Sequence, residues 1–148
     1  MAENANPTMQ KFGYPATLVA EQDGWVVLLR PQQVTLGSLV LVSRQPATAF
    51  GQIDDAAFAA LGPAVRRIEA VLGDLVGYQK INYLMLMMVD PDVHFHVIPR
   101  YEGTRRFVDF EVADAGWPGP PALAQAESPS EEVATRLTAA LAGRWVAG

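Results

Sequence analysis

The chain has only two histidines in 148 residues, and both lie in one short stretch, Asp92-Val-His94-Phe-His96-Val-Ile-Pro-Arg100. On a β-strand, residues two apart project from the same face. Val93, Phe95 and Val97 should then enter a core, while Asp92, His94, His96, Ile98 and Arg100 face the other way. Two imidazoles, a carboxylate and a guanidinium line up over about 27 Å, at roughly 6.6–7 Å per two-residue step. That is the scale of an extended polyphosphate, and too long for one metal ion to reach every member.

Three chemistries compete for this row. The histidines could be satisfied surface or interface residues with no reactive role. As a His-x-His pair they could ligate a metal, but a divalent site wants three or four ligands at about 2.0–2.2 Å. With no cysteine and no further histidine, only carboxylates could complete that set. Phosphate chemistry uses more of the row. An imidazole, with an unperturbed pKa of about 6.5, is mostly neutral near pH 7 and can attack phosphorus directly. The second imidazole can donate to the phosphoryl oxygens, where charge develops. This reading requires both rings to project side by side into a solvent-reachable recess furnished with anion donors. It calls for no metal and no cofactor.

The elements that must position the row follow from pattern. Residues 1–15, rich in Asn, Ala and Pro, read as a flexible arm. Thr17–Gln22 and Trp25–Arg30 read as two strands around Asp23-Gly24, a pair that tolerates positive φ. Ser38–Ser43 is continuously apolar, as in a strand buried on both faces. Asp54 is a candidate N-cap for a helix in which Phe58, Leu61, Val65, Ile68, Leu72 and Leu75 form one apolar stripe. Gly62-Pro63 predicts a kink or short break. Lys80–Met88 and Val93–Pro99 read as a hairpin joined by Val-Asp-Pro-Asp.

From Tyr101 to Gln125 the pattern is irregular, with Gly-Trp-Pro-Gly-Pro-Pro opposing regular structure. Six acidic and no basic residues lie between Phe107 and Thr135, which reads as a solvated acidic surface. Ser128-Pro129-Ser130-Glu131 opens a last helix, read as a capping box with proline at the first helical position. Val133, Leu137, Leu141 and Trp145 give that helix an apolar face. The order predicts an α+β domain with an antiparallel sheet and helices on one side.

Composition bounds the function. A net charge of −5 argues against nucleic acid, which needs a basic face to neutralise phosphates. The apolar run Tyr83–Val89 is too short to cross a bilayer, so no membrane role is expected. The opening residues lack a basic start followed by an apolar stretch, and cysteine is absent; both fit a cytoplasmic protein.

Over roughly Thr17 to Arg106, the stretches GSLVLVSR, DDAAFAALGPAVRRIEAVLG, INYLMLMM and DVHFHVIPRY resemble the histidine triad (HIT) superfamily, whose hallmark is His-φ-His-φ-His-φ-φ on a strand. The resemblance implies a HIT-like fold: an antiparallel sheet of about five strands, a main helix packed on it and a C-terminal helix. It divides the chain into a HIT-like domain over 16–106 and an irregular segment with the C-terminal helix over 107–148, packed on the same domain. It implies a nucleotide phosphohydrolase or nucleotidyl transferase acting on a nucleoside phosphoramidate or a (di)nucleoside polyphosphate. His94 takes the position of the nucleophile. His96, Asn82 and Arg100 become phosphate-binding candidates. A homodimer is implied, with Trp145 or the apolar strand edges as contacts, and a small nucleotide as the ligand. The base pocket would use Val27 and Leu29, or Leu28. A catalytically weakened nucleotide-binding or interaction module on the same fold is the alternative.

The pattern departs from the family in several places. Asp92 stands at the first triad position. Gly37-Ser38 replaces a Gly-His, Met87–Pro91 replaces a Gly-Gln-Ser/Thr loop, and Arg30 aligns with a ribose-binding aspartate. A carboxylate about 7 Å from a bound phosphate costs roughly 2 kcal/mol at an effective dielectric near 20. An ion-pairing role is therefore expected for Asp92, with Arg30, Arg100, Arg105 and Arg106 as candidates to restore positive charge.

Overall fold

Strand alternation sorts the side chains of the sheet into two layers. The computed structural model describes residues 5–148. Strands β1 (Leu18–Gln22), β2 (Trp25–Leu29), β3 (Leu39–Ser43), β4 (Lys80–Leu84) and β5 (His94–Arg100) form one antiparallel sheet in the order β1-β2-β3-β5-β4. Helices α2 (Asp55–Leu75) and α3 (Glu131–Ala147) cover one face, and the short helix α1 (Pro7–Lys11) lies on the other.

Trp25, Val27, Leu29, Leu39, Leu41 and Val97 pack with Ile68 and Leu72 of α2 and with Leu137, Leu141 and Trp145 of α3. The residues between them, Val26, Leu28, Val40 and Val42, pack with Met9 and Phe12. This fixes the parity of the pocket residues: Leu28 shares the histidine face, whereas Val27 and Leu29 face the main core. Trp145 is buried in that core, with its carbonyl accepting from Arg67, so it offers no contact surface.

Asp23 (φ 50) and Gly24 (φ 87) make the tight β1–β2 turn that the Asp-Gly pair predicts. Asp54 caps α2 by accepting from the Ala57 N–H. That helix runs unbroken through Pro63. Of the kink or short break expected at Gly62-Pro63, the break is absent, because proline removes a single hydrogen bond while Ala64, Ile68, Val71 and Leu72 anchor the following turns in the core. In α3 the cap is Ser130, accepting from the Val133 N–H. Pro129 therefore precedes the cap and is not the first helical residue.

Two expectations fail for physical reasons. Among the described residues, 5–15 are not a loose arm: Met9 is fully buried against the sheet, and Asn6 caps α1 ahead of Pro7. Residues 1–4 of that arm lie outside the described residues. The stretch after Tyr101 is not wholly irregular either. It contains a second hairpin, β6 (Thr104–Phe107) with β7 (Phe110–Ala113), and the expected boundary at 106/107 falls inside it.

Gly37 gives a direct test of the packing. It adopts φ +89, and a Cβ there would meet Val76 Cγ2 at 2.9 Å and Leu72 Cδ2 at 3.1 Å. Gly37→Ala is expected to cost roughly 3 kcal/mol, combining left-handed strain with overpacking. A urea midpoint indistinguishable from wild type would show that α2 yields there.

Candidate functional site

The histidines stand on β5 at a register that gives each a defined neighbour. His94 lies opposite Val42 and His96 opposite Val40 on β3, while Leu84 of β4 flanks His96 on the other side. Both rings project to the face covered by α1, and their centroids are 5.2 Å apart at 80°. Phe12 closes over the pair, edge-on to His96 at 5.6 Å and tilted to His94 at 6.3 Å. Only 1% of His94 and 8% of His96 is exposed. The rings are thus more enclosed than a bare strand face implies, yet both line a cavity of about 270 Å3 bounded also by Lys11, Arg30 and the 86–90 loop. A further cavity of about 210 Å3 adjoins it, sharing Lys11, Phe12, Arg30 and Gln32.

Hydrogen bonding assigns the tautomers. His94 Nδ1 lies 2.7 Å from the Asp92 carbonyl oxygen. A carbonyl only accepts, so Nδ1 carries the proton and Nε2 keeps the lone pair. Nε2 has no partner among the described residues, and no buried side-chain nitrogen or oxygen there is left unsatisfied, so it reaches the cavity. His96 is set the other way. Its Nδ1 receives a long, 3.4 Å bond from Arg30 Nε, so its Nε2 carries the proton. One ring thus offers a lone pair and its neighbour a donor.

Burial pushes the His96 pKa down to about 4, assisted by the Arg30 guanidinium and the neighbouring His94 ring. The ring is neutral at physiological pH. The unfolded chain, with a histidine near 6.5, binds more protons between those two values, so this contribution is complete above about 6.5 and is lost as pH falls towards 4. The loss is at most about 3 kcal/mol. Urea titrations from pH 7 to 4 should show wild-type stability falling more steeply than that of His96→Gln. Equal slopes would mean that His96 is hydrated and ordinary.

Cations come from two elements. Arg30 continues the parity of β2 onto the histidine face, and its Nη1 donates to the Gln32 carbonyl at 2.6 Å. Lys11, at the end of α1, pairs with Asp90 at 2.9 Å across the mouth of the cavity. The flexible-arm reading missed Lys11 and Phe12. The sequence signal that could have found them is Asn6-Pro7, a helix cap followed by proline at the first position.

Asp92 does not pair with an arginine. Asp92 stands just ahead of the strand, which begins at His94, and on the histidine face its carboxylate turns towards α1. There Oδ2 accepts from the Thr8 N–H at 3.1 Å, while the Asp92 N–H donates to Thr8 Oγ1 at 3.3 Å. Asp92 therefore ties α1 down next to the peptide whose carbonyl orients His94. The Ser38 hydroxyl is used locally, closing a turn with Thr35.

Asn82 and Arg100 share the histidine face but not the histidine cavity. Arg100 is paired bidentately with Asp114, at 2.7 and 3.1 Å, and also donates to Asn82 Oδ1 and the Gly119 carbonyl. Both residues line a different cavity, against Trp117–Pro120. The spacing of the strand explains it: four residues from His96 to Arg100 span about 13 Å. Asp114, one of the six acidic residues read as solvated surface, is in fact buried. Arg105 is held by the Val76 and Gly77 carbonyls and stacks on Tyr101, away from the histidines. Arg106 is on the separate β6–β7 hairpin. Among the described residues no group of three His, Cys, Asp or Glu could hold a metal ion, and no helix is long and apolar enough to cross a membrane.

No protein-family model matches the sequence, and no curated protein matches it. Solved structures do match. The chain is similar to a histidine triad protein from Bradyrhizobium japonicum, with a TM-score of 0.71 and 21% identity over 93% of each chain. It is similar to a histidine triad (HIT) protein from Sinorhizobium meliloti 1021, with a TM-score of 0.71 and 23% identity, again over 93% of each chain. A histidine triad protein from Marinobacter aquaeolei VT8 gives a TM-score of 0.71 and 23% identity over 88% of each.

Proposed function

We propose that this chain, whose fold is that of the histidine triad proteins, binds a nucleotide and transfers or hydrolyses its nucleotidyl group through His94. The observation that carries the reading is the Nδ1–H bond of His94 to the Asp92 carbonyl, which leaves Nε2 bare towards a cavity flanked by donors. In the proposed reaction Nε2 attacks phosphorus, and the leaving group departs with the electrons of its bond to phosphorus. Water then displaces the histidine. The His96 Nε2–H and the Arg30 guanidinium receive the charge that develops on the phosphoryl oxygens. Lys11 adds a cation at the mouth if it releases Asp90.

The substrate class under this reading is a nucleoside phosphoramidate or (di)nucleoside polyphosphate, met in the cytoplasm. The assembly is a homodimer formed through an apolar strand edge, Trp145 being unavailable. Light scattering on the purified protein tests that assembly.

A second reading, a nucleotide-binding module without appreciable turnover, is favoured by one feature. At about 270 Å3 the histidine cavity falls just below the range of roughly 300–1,000 Å3 usual for small-molecule sites, with α1 lying across it. Incubation with adenosine phosphoramidate, diadenosine polyphosphates and dinucleotide cofactors separates the two. Turnover that requires His94 supports the enzyme. Saturable binding without turnover supports the module, and neither result would leave only the fold.

A further inference from the structure

The cavity that holds Asn82 and Arg100 is better furnished than a structural clamp requires. It measures about 610 Å3 and lies between β4 and the turn at Trp117–Pro120. Strand register places Lys80 directly opposite Arg100, and Asn82 two residues further along the same face. Arg100 is 3% exposed.

The Asp114 carboxylate beside this cavity is already used. Asp114 Oδ1 accepts from Arg100 Nη2 and the Gly116 N–H, and Oδ2 accepts from Arg100 Nε and the Tyr101 N–H. Those bonds occupy the lone pairs a carboxylate can offer. The Gly119 carbonyl takes a further N–H from Arg100 Nη2.

Donors, by contrast, are left over. A guanidinium cannot accept, so Asn82 must turn its oxygen to Arg100 Nη1, which leaves its NH2 group without a partner among the described residues. Arg100 Nη1 keeps one further N–H. Lys80 is exposed and makes no ion pair among the described residues. Asp114 cancels the charge of Arg100, so one positive charge remains uncompensated beside the donors. Trp117, Pro118 and Pro120 supply a flat, apolar wall.

We propose that this cavity is a second ligand site, separate from the histidine cavity, and that it takes a small organic monoanion: a carboxylate on a flat apolar body. The head group meets Lys80, the Asn82 amide and the spare Arg100 N–H, while the body lies along Trp117 and the two prolines. A monoanion matches the single uncompensated charge better than a dianionic phosphate does. Gly116 sets the wall, since a Cβ there would stand 2.2 Å from the Pro120 carbonyl oxygen.

Benzoate titrated into the full-length protein, followed by ligand-observed NMR and by tryptophan fluorescence, tests the site. Benzoate is expected to bind about tenfold more tightly than neutral benzamide, the worth of one charge-assisted contact, and more tightly than phenyl phosphate. Lys80→Gln, at an exposed position, should remove that preference. Trp117→Leu should weaken both ligands, and His94→Ala should leave benzoate binding unchanged, which separates this site from the phosphate chemistry. Equal affinity for benzoate and benzamide would overturn the proposal. So would indifference to Lys80→Gln, or loss of benzoate binding in His94→Ala.

Discussion

Replacing His94 by alanine is expected to reduce turnover of adenosine phosphoramidate by at least about a thousandfold in kcat/KM, because removing a nucleophile abolishes the covalent route. The fold should survive. The ring packs on Phe12 and His96 at the edge of a cavity, outside the main core, so alanine enlarges a space that already exists. His94→Asn makes a sharper comparison. Its amide N–H can still donate to the Asp92 carbonyl, but no nucleophilic nitrogen remains, so turnover should be lost as fully as in alanine. His96→Gln should be milder, about ten- to a hundredfold, since a glutamine N–H can replace the Nε2 donor. Steady-state kinetics on the three variants would check this order. Comparable activity in His94→Ala and wild type would remove nucleophilic catalysis and leave the binding module.

The largest effect on stability is expected at Asp114. The Arg100–Asp114 pair is buried on both sides, with side-chain exposures of 4% and 1%. Removing one partner of such a pair strands the other charge, which typically costs about 3–5 kcal/mol. Asp114→Ala should lie at the upper end, because it also frees the Tyr101 and Gly116 N–H groups that the carboxylate satisfies. Asp114→Asn keeps an acceptor and should cost less. The double variant Arg100→Met with Asp114→Leu should recover much of the loss, since it leaves no buried charge unpaired. Urea unfolding of the four proteins gives the comparison. A loss below about 1 kcal/mol in Asp114→Ala would mean that Arg100 finds water when its partner is gone.

What the sequence made legible was local. Two-residue periodicity put His94, His96, Ile98 and Arg100 on one face, and Asp23-Gly24 and Asp54 marked a turn and a cap through their own chemistry. What stayed hidden depended on contacts far apart in the chain. Asp92 meets Thr8 across 84 positions, so a local reading could only guess at a charge partner. Arg100 meets Asp114 through a loop whose acidic residues look alike until one of them is buried. The β6–β7 hairpin escaped because its turn is Val108-Asp109, with a β-branched residue at φ 58, and carries none of the Gly or Asn signals that mark a tight turn. Alternation puts Arg100 on the right face, yet Arg100 and Asn82 line a cavity apart from the histidines. Parity selects a face, but only packing divides that face into compartments.

The most direct measurement on the site is the tautomeric state of the two imidazoles by long-range 15N–1H correlation at neutral pH. His94 is expected as the Nδ1–H tautomer, with Nε2 showing the shift of an unprotonated nitrogen, and His96 as the neutral Nε2–H tautomer. A proton on His94 Nε2 would contradict the assignment, because the nitrogen facing the cavity would then be a donor with no lone pair to attack phosphorus.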